Sequence, residues 1–198
     1  GLVGRGFRRR RPVTTQPDAP GRGAPNLLAQ NFTAQRPNET WLGDITYIET
    51  GEGWLYLALV LDLFSRAIVG WAMADHLGAS LVEQALHLAL GRRRPDQRLR
   101  HHSDRGSQYT STPVLTVLAD HHIQVSMSGT GNCYDNAPME SFIGTLKTEC
   151  ACAPFATRQA ARQALFEYLE VWYNRQRLHS SLGYLTPAAF EQRWAVET

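Results

Sequence analysis

The pattern of hydrophobic and polar positions predicts three closely spaced strands near the start of the ordered part of the chain. The three segments are Trp41–Glu49, Trp54–Leu61 and Ala67–Ala74. The first alternates, which places Asp44 on the same face as Leu42 and Ile48. The second is almost continuously apolar, as is typical of a central strand covered on both faces. Turn signals at Gly51–Gly53 and Asp62–Arg66 separate the strands, so we expect an antiparallel meander.

The pattern then alternates between helices and short strands. The predicted order is a helix over Ser80–Leu90, a strand over Leu99–His102, a helix over Thr112–Ala119 with Thr112 as its N-cap, and a strand over Ile123–Met127. Two such crossovers imply parallel pairing of the later strands. Together with the meander, this order predicts an α/β fold of the ribonuclease-H-like type, a mixed sheet flanked by helices.

A helix beginning at Ala137 carries two neighbouring stripes. Met139 and Leu146 mark its apolar stripe, whereas Glu140 and Lys147 lie about a quarter turn away on the shoulder of that face. Further helices are predicted over Thr157–Asn174 and from Thr186-Pro187 onwards.

Composition restricts the class of protein. The longest apolar run has eight residues, whereas a membrane-spanning helix needs about 20, so we expect no membrane association. Three cysteines are too few and too uneven for a disulfide framework, which favours a reducing, cytosolic setting. A zinc site at Cys150, Cys152, His121 and His122 is disfavoured because the spacing lacks the usual motifs.

Charge divides the chain into two parts. Residues 1–36 contain seven arginines and one aspartate, a net charge of +6, whereas the other 162 residues carry 13 basic and 17 acidic groups, a net charge of −4. We therefore interpret 1–36 as a basic flexible arm or linker and 37–194 as the folded core. Such an arm suits contact with nucleic acid, although a solvated linker explains it equally well.

Three carboxylates occur in distinctive local contexts. Asp44 lies in the first strand, Asp104 lies just beyond the end of the first parallel strand, and Glu140 lies near a helix start, with 35 residues between the last two. Two divalent ions about 3.5–4 Å apart, held by such carboxylates, can catalyse phosphoryl transfer. Each acid alone also has an ordinary structural explanation, as a strand-edge, turn or helix-start residue.

Several neighbours of these acids compete for a functional role. We interpret Asp62 as a turn residue, Asp135 as an N-cap or turn residue, and His102 as support for the Asp104 loop. Lys147, the only lysine beside nineteen arginines, is placed to reach a phosphate, or else is a surface lysine. No serine has the context of a catalytic triad.

Four segments resemble a known family: "WLGDITYIET…LYLALVLDLFSRAIVGW", "HHSDRGSQYTS", "GNCYDNAPMESFIGTLKTE" and "YNRQRLHSSLGYLTPAAF". They are similar to the integrase-like (DDE) catalytic core of bacterial insertion-sequence transposases of the second-frame, OrfB type, which are related to retroviral integrases. The resemblance covers about residues 24–194. The matching segments do not include the N-terminal helix-turn-helix with which this family recognises element ends. We therefore expect an upstream region or a first-frame product as a partner.

The resemblance implies a polynucleotidyl transferase that cleaves DNA and joins the freed 3′-hydroxyl to a second strand. It implies that Asp44, Asp104 and Glu140 are both the catalytic residues and the ligands of Mg²⁺, with two ions and with Mn²⁺ as a substitute. It also implies a homo-oligomer acting on element ends and target DNA in the bacterial cytoplasm, at the nucleoid when bound. We expect DNA contacts from the following side chains: Lys147, Arg105, Asn132, Tyr134 and Asn136.

Two alternatives share much of this pattern. A ribonuclease-H-like nuclease would use the same three acids, and only the motifs around them favour a transposase. A non-catalytic, DNA-binding fragment that regulates a longer transposase would use the basic arm and need no metal ion.

Overall fold

A computed structural model describes residues 23–95, 98–129 and 133–197. Its five strands are β1 (Thr40–Thr50), β2 (Gly53–Asp62), β3 (Ile68–Ala74), β4 (Arg100–Ser103) and β5 (Gln124–Met127). Its α-helices are α1 (Ala79–Arg93), α2 (Thr112–Asp120), α3 (Ala137–Glu149), α4 (Arg158–Glu167) and α5 (Pro187–Glu197). Single turns of other helix types cover Cys133–Asn136, Tyr168–Tyr173 and Ser180–Leu182.

The five strands form one mixed sheet in the order β3-β2-β1-β4-β5. The pairs β1/β2 and β2/β3 are antiparallel, whereas β1/β4 and β4/β5 are parallel. The predicted meander and both parallel crossovers are therefore confirmed, and the sheet has the ribonuclease-H-like arrangement.

Two hydrophobic clusters cover the two faces of this sheet. Along β2, Ala58 and Val60 belong to the cluster that α1 and α2 cover, and Leu57 and Leu59 belong to the cluster that α3 and α4 cover. The apolar run of β2 is thus buried on both faces, as predicted. Helix α1 packs very closely on β3, because a Cβ added at Gly70 would lie 2.2 Å from a backbone oxygen of α1.

Two helix boundaries differ from the sequence prediction. The helix predicted over Thr157–Asn174 is α4, with Thr157 as its N-cap, followed by a π-helical turn from Tyr168 to Tyr173. The N-cap of α2 is Ser111 and not Thr112, which is the first helical residue. Pro113 fits either of the first two helical positions, because neither position needs a backbone N–H donor.

The segment before β1 packs on the core. Leu28 is 4% exposed and belongs to the same cluster as the buried residues of α3. The segment Asn26–Ala29 therefore lies against the domain. Residues 1–22 of the predicted arm lie outside the described residues, so that part of the domain division stays a prediction. Within the described ranges, no helix is both long and apolar enough to cross a bilayer.

Candidate active site

Asp44 lies where strand β1 extends beyond its parallel neighbour β4. The register pairs Thr40 with Arg100 and Leu42 with His102, and β4 ends one residue later. Continued by two residues, the same register brings Asp44 level with Asp104. Neighbouring strands lie about 4.8 Å apart, so the fold places these two aspartates side by side.

Both aspartates line one cleft. The other residues lining it are Ile45, Tyr47, Tyr56, Leu77, Gln108 and Tyr109. The backbone fixes each carboxylate, since the Ile45 N–H donates to Asp44 Oδ1 at 2.7 Å and the Gly106 N–H donates to Asp104 Oδ1 at 2.9 Å. The cleft therefore presents two oriented acids between aromatic walls.

The electrostatics of Asp44 also connect it to α3. Its pKa rises from 3.8 to about 7, chiefly because the group is buried and next because of the Asp104 carboxylate. The Glu140 carboxylate raises this pKa further, whereas the backbone bond from Ile45 and the Lys147 ammonium lower it. Two negative groups thus act on Asp44, which makes the cleft a favourable place for a cation.

Glu140 lies in the first turn of α3 with its side chain exposed, while Met139, Phe142 and Leu146 form the buried stripe. The predicted shoulder position of Glu140 is confirmed. Within residues 23–95, 98–129 and 133–197, however, no group of three or more His, Cys, Asp or Glu side chains is placed to hold a metal ion. The three acids share one electrostatic region without forming a closed ligand set.

Lys147 lies at the rim of the cleft. Its Nζ is 4.5 Å from the centre of the Tyr47 ring, a cation–π contact with a residue that lines the cleft. The Tyr47 ring in turn meets the half-exposed Trp54 edge-on, with 5.0 Å between ring centroids. The lysine is therefore held near Asp44 by the sheet as well as by its own helix.

Two of the remaining predicted DNA contacts, Arg105 and Asn136, make internal hydrogen bonds. Arg105 donates from Nε to the Ser128 carbonyl at 2.7 Å and from Nη2 to the Ala24 carbonyl at 3.0 Å. Asn136 is 6% exposed and donates from Nδ2 to the Gly43 carbonyl at 3.2 Å, which ties the start of α3 to β1 beside Asp44.

DNA contact by these residues thus stays a prediction, and the contacts seen here are structural. Asn132 lies outside the described residues, and so does the side chain of Tyr134.

Asp135 differs most from its sequence interpretation. The N-cap position of α3 belongs to Asn136, and no side chain caps the helix there. Asp135 is instead 3% exposed and accepts hydrogen bonds from Asn26, Gln30 and the Gly129 N–H. The N-cap alternative was therefore wrong, and most of these donors lie more than 100 positions away. The turn alternative is confirmed, because Asp135 lies in the turn Cys133–Asn136.

Two further residues of the site were missed. Tyr109 is buried against both aspartates, and burial first and then the Asp44 and Asp104 charges raise the pKa of its phenol. Its occurrence as an aromatic residue within the polar "SDRGSQYTS" segment was an available signal. His101 is also buried, and burial lowers its pKa to about 3. His102 Nδ1 contacts Ser126 Oγ of β5 at 2.8 Å, and its support of the Asp104 loop stays a prediction.

Sequence comparison identifies related proteins over most of the chain. A family model described as integrase core domain matches residues 34–133, and a second model with that description matches 121–187. The chain is 48% identical over 169 residues to the transposase InsF of insertion sequence IS3A from Escherichia coli strain K12, covering 85% of this chain and 59% of InsF. It is also 48% identical over 172 residues to an uncharacterized 31 kDa protein of insertion element IS600 from Shigella sonnei, covering 86% and 63%. The chain spans about three fifths of the length of these relatives.

Two solved structures with the same fold come from retroviruses. The integrase of a simian T-cell lymphotropic virus intasome superposes with a TM-score of 0.67 at 19% identity, over 90% of this chain and 61% of that one. The HTLV-2 integrase catalytic core domain in complex with magnesium gives 0.59 at 17% identity, over 80% and 99%. These structural similarities confirm the ribonuclease-H-like fold. The two family models identify the family within that fold. The chain belongs to the integrase core domain family.

Proposed function

We propose that this chain is the catalytic core of a transposase that cuts DNA strands and transfers them to new sites. The observation that carries the proposal is the register of β1 and β4, which brings Asp44 and Asp104 into one cleft within the field of Glu140. Membership of the integrase core domain family and the 48% identity to transposase InsF support the same activity.

The donors in the cleft fit a divalent cation. Carboxylate oxygens are the hard ligands that Mg²⁺ prefers. Burial is the first cause of the raised pKa of Asp44, and the Asp104 and Glu140 charges, which a cation would neutralise, raise it further. Asp44, Asp104 and Glu140 would hold the metal, and the magnesium in the HTLV-2 integrase complex supports this assignment. When bound, such ions lower the pKa of water and stabilise charge on the attacking and leaving oxygens.

The chain's own residues prepare the site for that chemistry. The backbone bonds to Asp44 and Asp104 fix their carboxylates before DNA arrives, so little reorganisation is needed. Tyr109 lines the cleft and stays protonated beside the two acids. Lys147 lies where its ammonium can contact a phosphate at the rim. Glu140, which is exposed in the first turn of α3, would complete the site.

The reaction has two steps with the same bond changes. In the first, water attacks a phosphodiester at the element end, its phosphorus–oxygen bond breaks, and one strand leaves with a 3′-hydroxyl. In the second, that hydroxyl attacks a phosphodiester of the target, a new bond forms to the donor strand, and the target strand departs. No protein side chain becomes covalently attached.

Partners follow from the longer relatives and from the intasome. We propose that a DNA-recognition region and the core act together on element ends, because the chain spans only 59–63% of its curated relatives. The intasome neighbour supports a multimer on paired DNA ends. Action on DNA in the bacterial cytoplasm follows from the transposase relatives.

A branched DNA that mimics the strand-transfer product tests the proposal without element-end recognition. By microscopic reversibility, a core that joins strands also resolves such a branch. We expect resolution in Mg²⁺ or Mn²⁺, and a loss of at least about 10²–10³ in rate for Asp44→Asn, Asp104→Asn and Glu140→Gln. Asp120→Asn, at the exposed end of α2, is the control and should react normally.

Two results would refute this function. One is a folded wild-type chain that leaves the branch intact in both ions while binding it tightly, which would favour a regulatory DNA-binding fragment. The other is faster cleavage of an RNA–DNA hybrid than of the branch, which would favour a nuclease of this fold.

A further inference from the structure

Residues 24–30, here called the strap, run from the edge strand β5 to the start of α3. They follow the arginine-rich beginning of the chain, and nine residues separate them from β1. Their contacts reach the supports of both Asp104 and Glu140. The strap is separate from the three elements that carry the acids, and it takes no part in the catalytic steps proposed above.

The strap is bound first to β5. The Met127 N–H donates to the Pro25 carbonyl at 3.2 Å, and the Leu27 N–H donates to Ser126 Oγ at 2.9 Å. The same Ser126 hydroxyl contacts His102 Nδ1 at 2.8 Å, two residues before Asp104. The strap thereby lies against the edge strand β5 and shares the Ser126 hydroxyl with His102.

Arg105 makes the second connection. Its guanidinium bridges the Ala24 carbonyl of the strap and the Ser128 carbonyl after β5, at 3.0 and 2.7 Å. Both acceptors are backbone atoms, so the bridge fixes the path of the chain on each side. The residue next to Asp104 is therefore held between the strap and the sheet.

The third and most extensive connection is to Asp135. Asn26 Nδ2 donates to Asp135 Oδ2 at 2.9 Å, Gln30 Nε2 donates to Oδ1 at 3.2 Å, and the Gly129 N–H donates to Oδ2 at 2.7 Å. Burying a carboxylate is costly unless hydrogen bonds replace its water, and both oxygens are bonded here. Asn26 Oδ1 also accepts from the Leu28 and Ala29 N–H groups, so the strap's own turn fixes the donor.

These contacts reach Glu140 through the short turn before α3. Asp135 and Asn136 end that turn, α3 begins at Ala137, and Glu140 lies in its first turn. Leu28 of the strap also packs in the cluster that contains Met139 and Phe142 of α3. Polar and apolar contacts of the strap thus converge on the helix start whose position determines where Glu140 lies.

We propose that Asp135 is a positioning residue, which together with the strap sets the start of α3 and hence the approach of Glu140 to Asp44 and Asp104. The proposal rests on the function proposed above and specifies which residues support its third acid. The chemistry itself does not use Asp135, because both of its oxygens are engaged by the strap and by Gly129.

The test combines DNA resolution with hydrogen–deuterium exchange. Asp135→Asn replaces an acceptor by a donor facing Asn26 and Gly129, so the strap should detach. We expect turnover of saturating branched DNA to fall about 10–100-fold, the scale for losing a support of a metal ligand, with KM nearly unchanged. Amides over 137–143 should exchange at least about tenfold faster, whereas those of β2 should not change.

A charge swap provides the sharpest control. In Asn26→Asp with Asp135→Asn, the new amide donates to the new carboxylate, which can still accept from the Leu28 and Ala29 N–H groups. Because the Gly129 N–H still faces the new amide at position 135, this double variant should recover part of the turnover and of the exchange protection. Leu86→Ala, a buried change in α1 outside the cluster that contains Leu28 and α3, should lower stability without either effect.

Several outcomes would overturn the proposal. They are a folded Asp135→Asn with normal turnover and normal protection over 137–143, a charge swap with no recovery, and the same turnover loss in Leu86→Ala. If Asp135→Asn does not fold, Gln30→Ala removes a single donor, and the same readouts decide. The exchange measurement needs no DNA, so it tests the strap even if the wild-type chain proves not to act on branched DNA.

Discussion

Replacing Asp44 by Asn is expected to stabilise the metal-free protein at neutral and alkaline pH. The folded protein raises the pKa of this carboxyl from 3.8 to about 7, mainly through burial and then through Asp104. Between those pH values the folded state holds a proton that the unfolded state has lost. The stability of the wild-type protein therefore falls as pH rises from about 4 to about 7, and the full penalty is present above pH 7.

The size of the effect follows from the shift. About three pH units correspond to about 4 kcal/mol at 1.36 kcal/mol per unit. Asp44 is only half-buried in the cleft, so solvent reduces the penalty, and we expect about 1–3 kcal/mol. Asn keeps the geometry, because its Oδ1 can accept from the Ile45 N–H as the carboxylate does.

Urea unfolding in a chelator, at pH 4 and pH 8, measures the effect. Asp44→Asn should exceed wild type at pH 8 and approach it at pH 4, whereas Asp120→Asn should follow wild type at both. Mg²⁺ should stabilise wild type more than Asp44→Asn. An Asp44→Asn protein no more stable than wild type at pH 8 would show that the cleft does not concentrate negative charge as inferred.

Three further changes test other parts of the account. His101→Leu should leave the free energy of unfolding in urea unchanged or raise it by about 1 kcal/mol, because both ring nitrogens are buried without a hydrogen-bond partner among the described residues. A loss above about 2 kcal/mol would indicate that the imidazole has a hydrogen-bond partner after all. Gly70→Ala should lower the free energy of unfolding by about 1–3 kcal/mol or more in the same assay, since its Cβ would meet the backbone of α1. Gly91→Ala, with nothing within 4 Å of its Cβ, should raise it by about 0.5–1 kcal/mol. Equal effects of the two changes would contradict the close packing of α1 on β3. Lys147→Ala should weaken DNA binding in a fluorescence titration and reduce the slope of log K against log salt concentration by about one. An unchanged slope would place the Lys147 ammonium away from phosphate.

The sheet was predictable because its signals are local. The alternation in β1, the apolar run of β2 and the turns between the strands each lie within about ten residues. The two crossovers followed from helix–strand alternation and the handedness that connections impose. The π-helical turn after α4 was not predictable, because its apolar spacing differs little from that of an α-helix.

The site was only partly predictable because its contacts are distant. The sequence singled out the three acids, but their juxtaposition depends on the register of β1 and β4 across some sixty residues. Asp135 resembles a helix cap by its position before Ala137-Pro138, and its donors Asn26 and Gln30 lie 109 and 105 residues away. Local patterns contain no information about such partners.

Titration calorimetry of Mn²⁺ binding to the chain, in the presence of branched DNA, decides whether the three carboxylates form one metal site. If Asp44, Asp104 and Glu140 form one metal site, Glu140→Gln should weaken Mn²⁺ binding at least about tenfold, as Asp44→Asn and Asp104→Asn should, while Asp120→Asn binds like wild type. Wild-type affinity in Glu140→Gln, with affinity lost only in the two aspartate variants, would contradict a three-carboxylate site and leave Glu140 outside it.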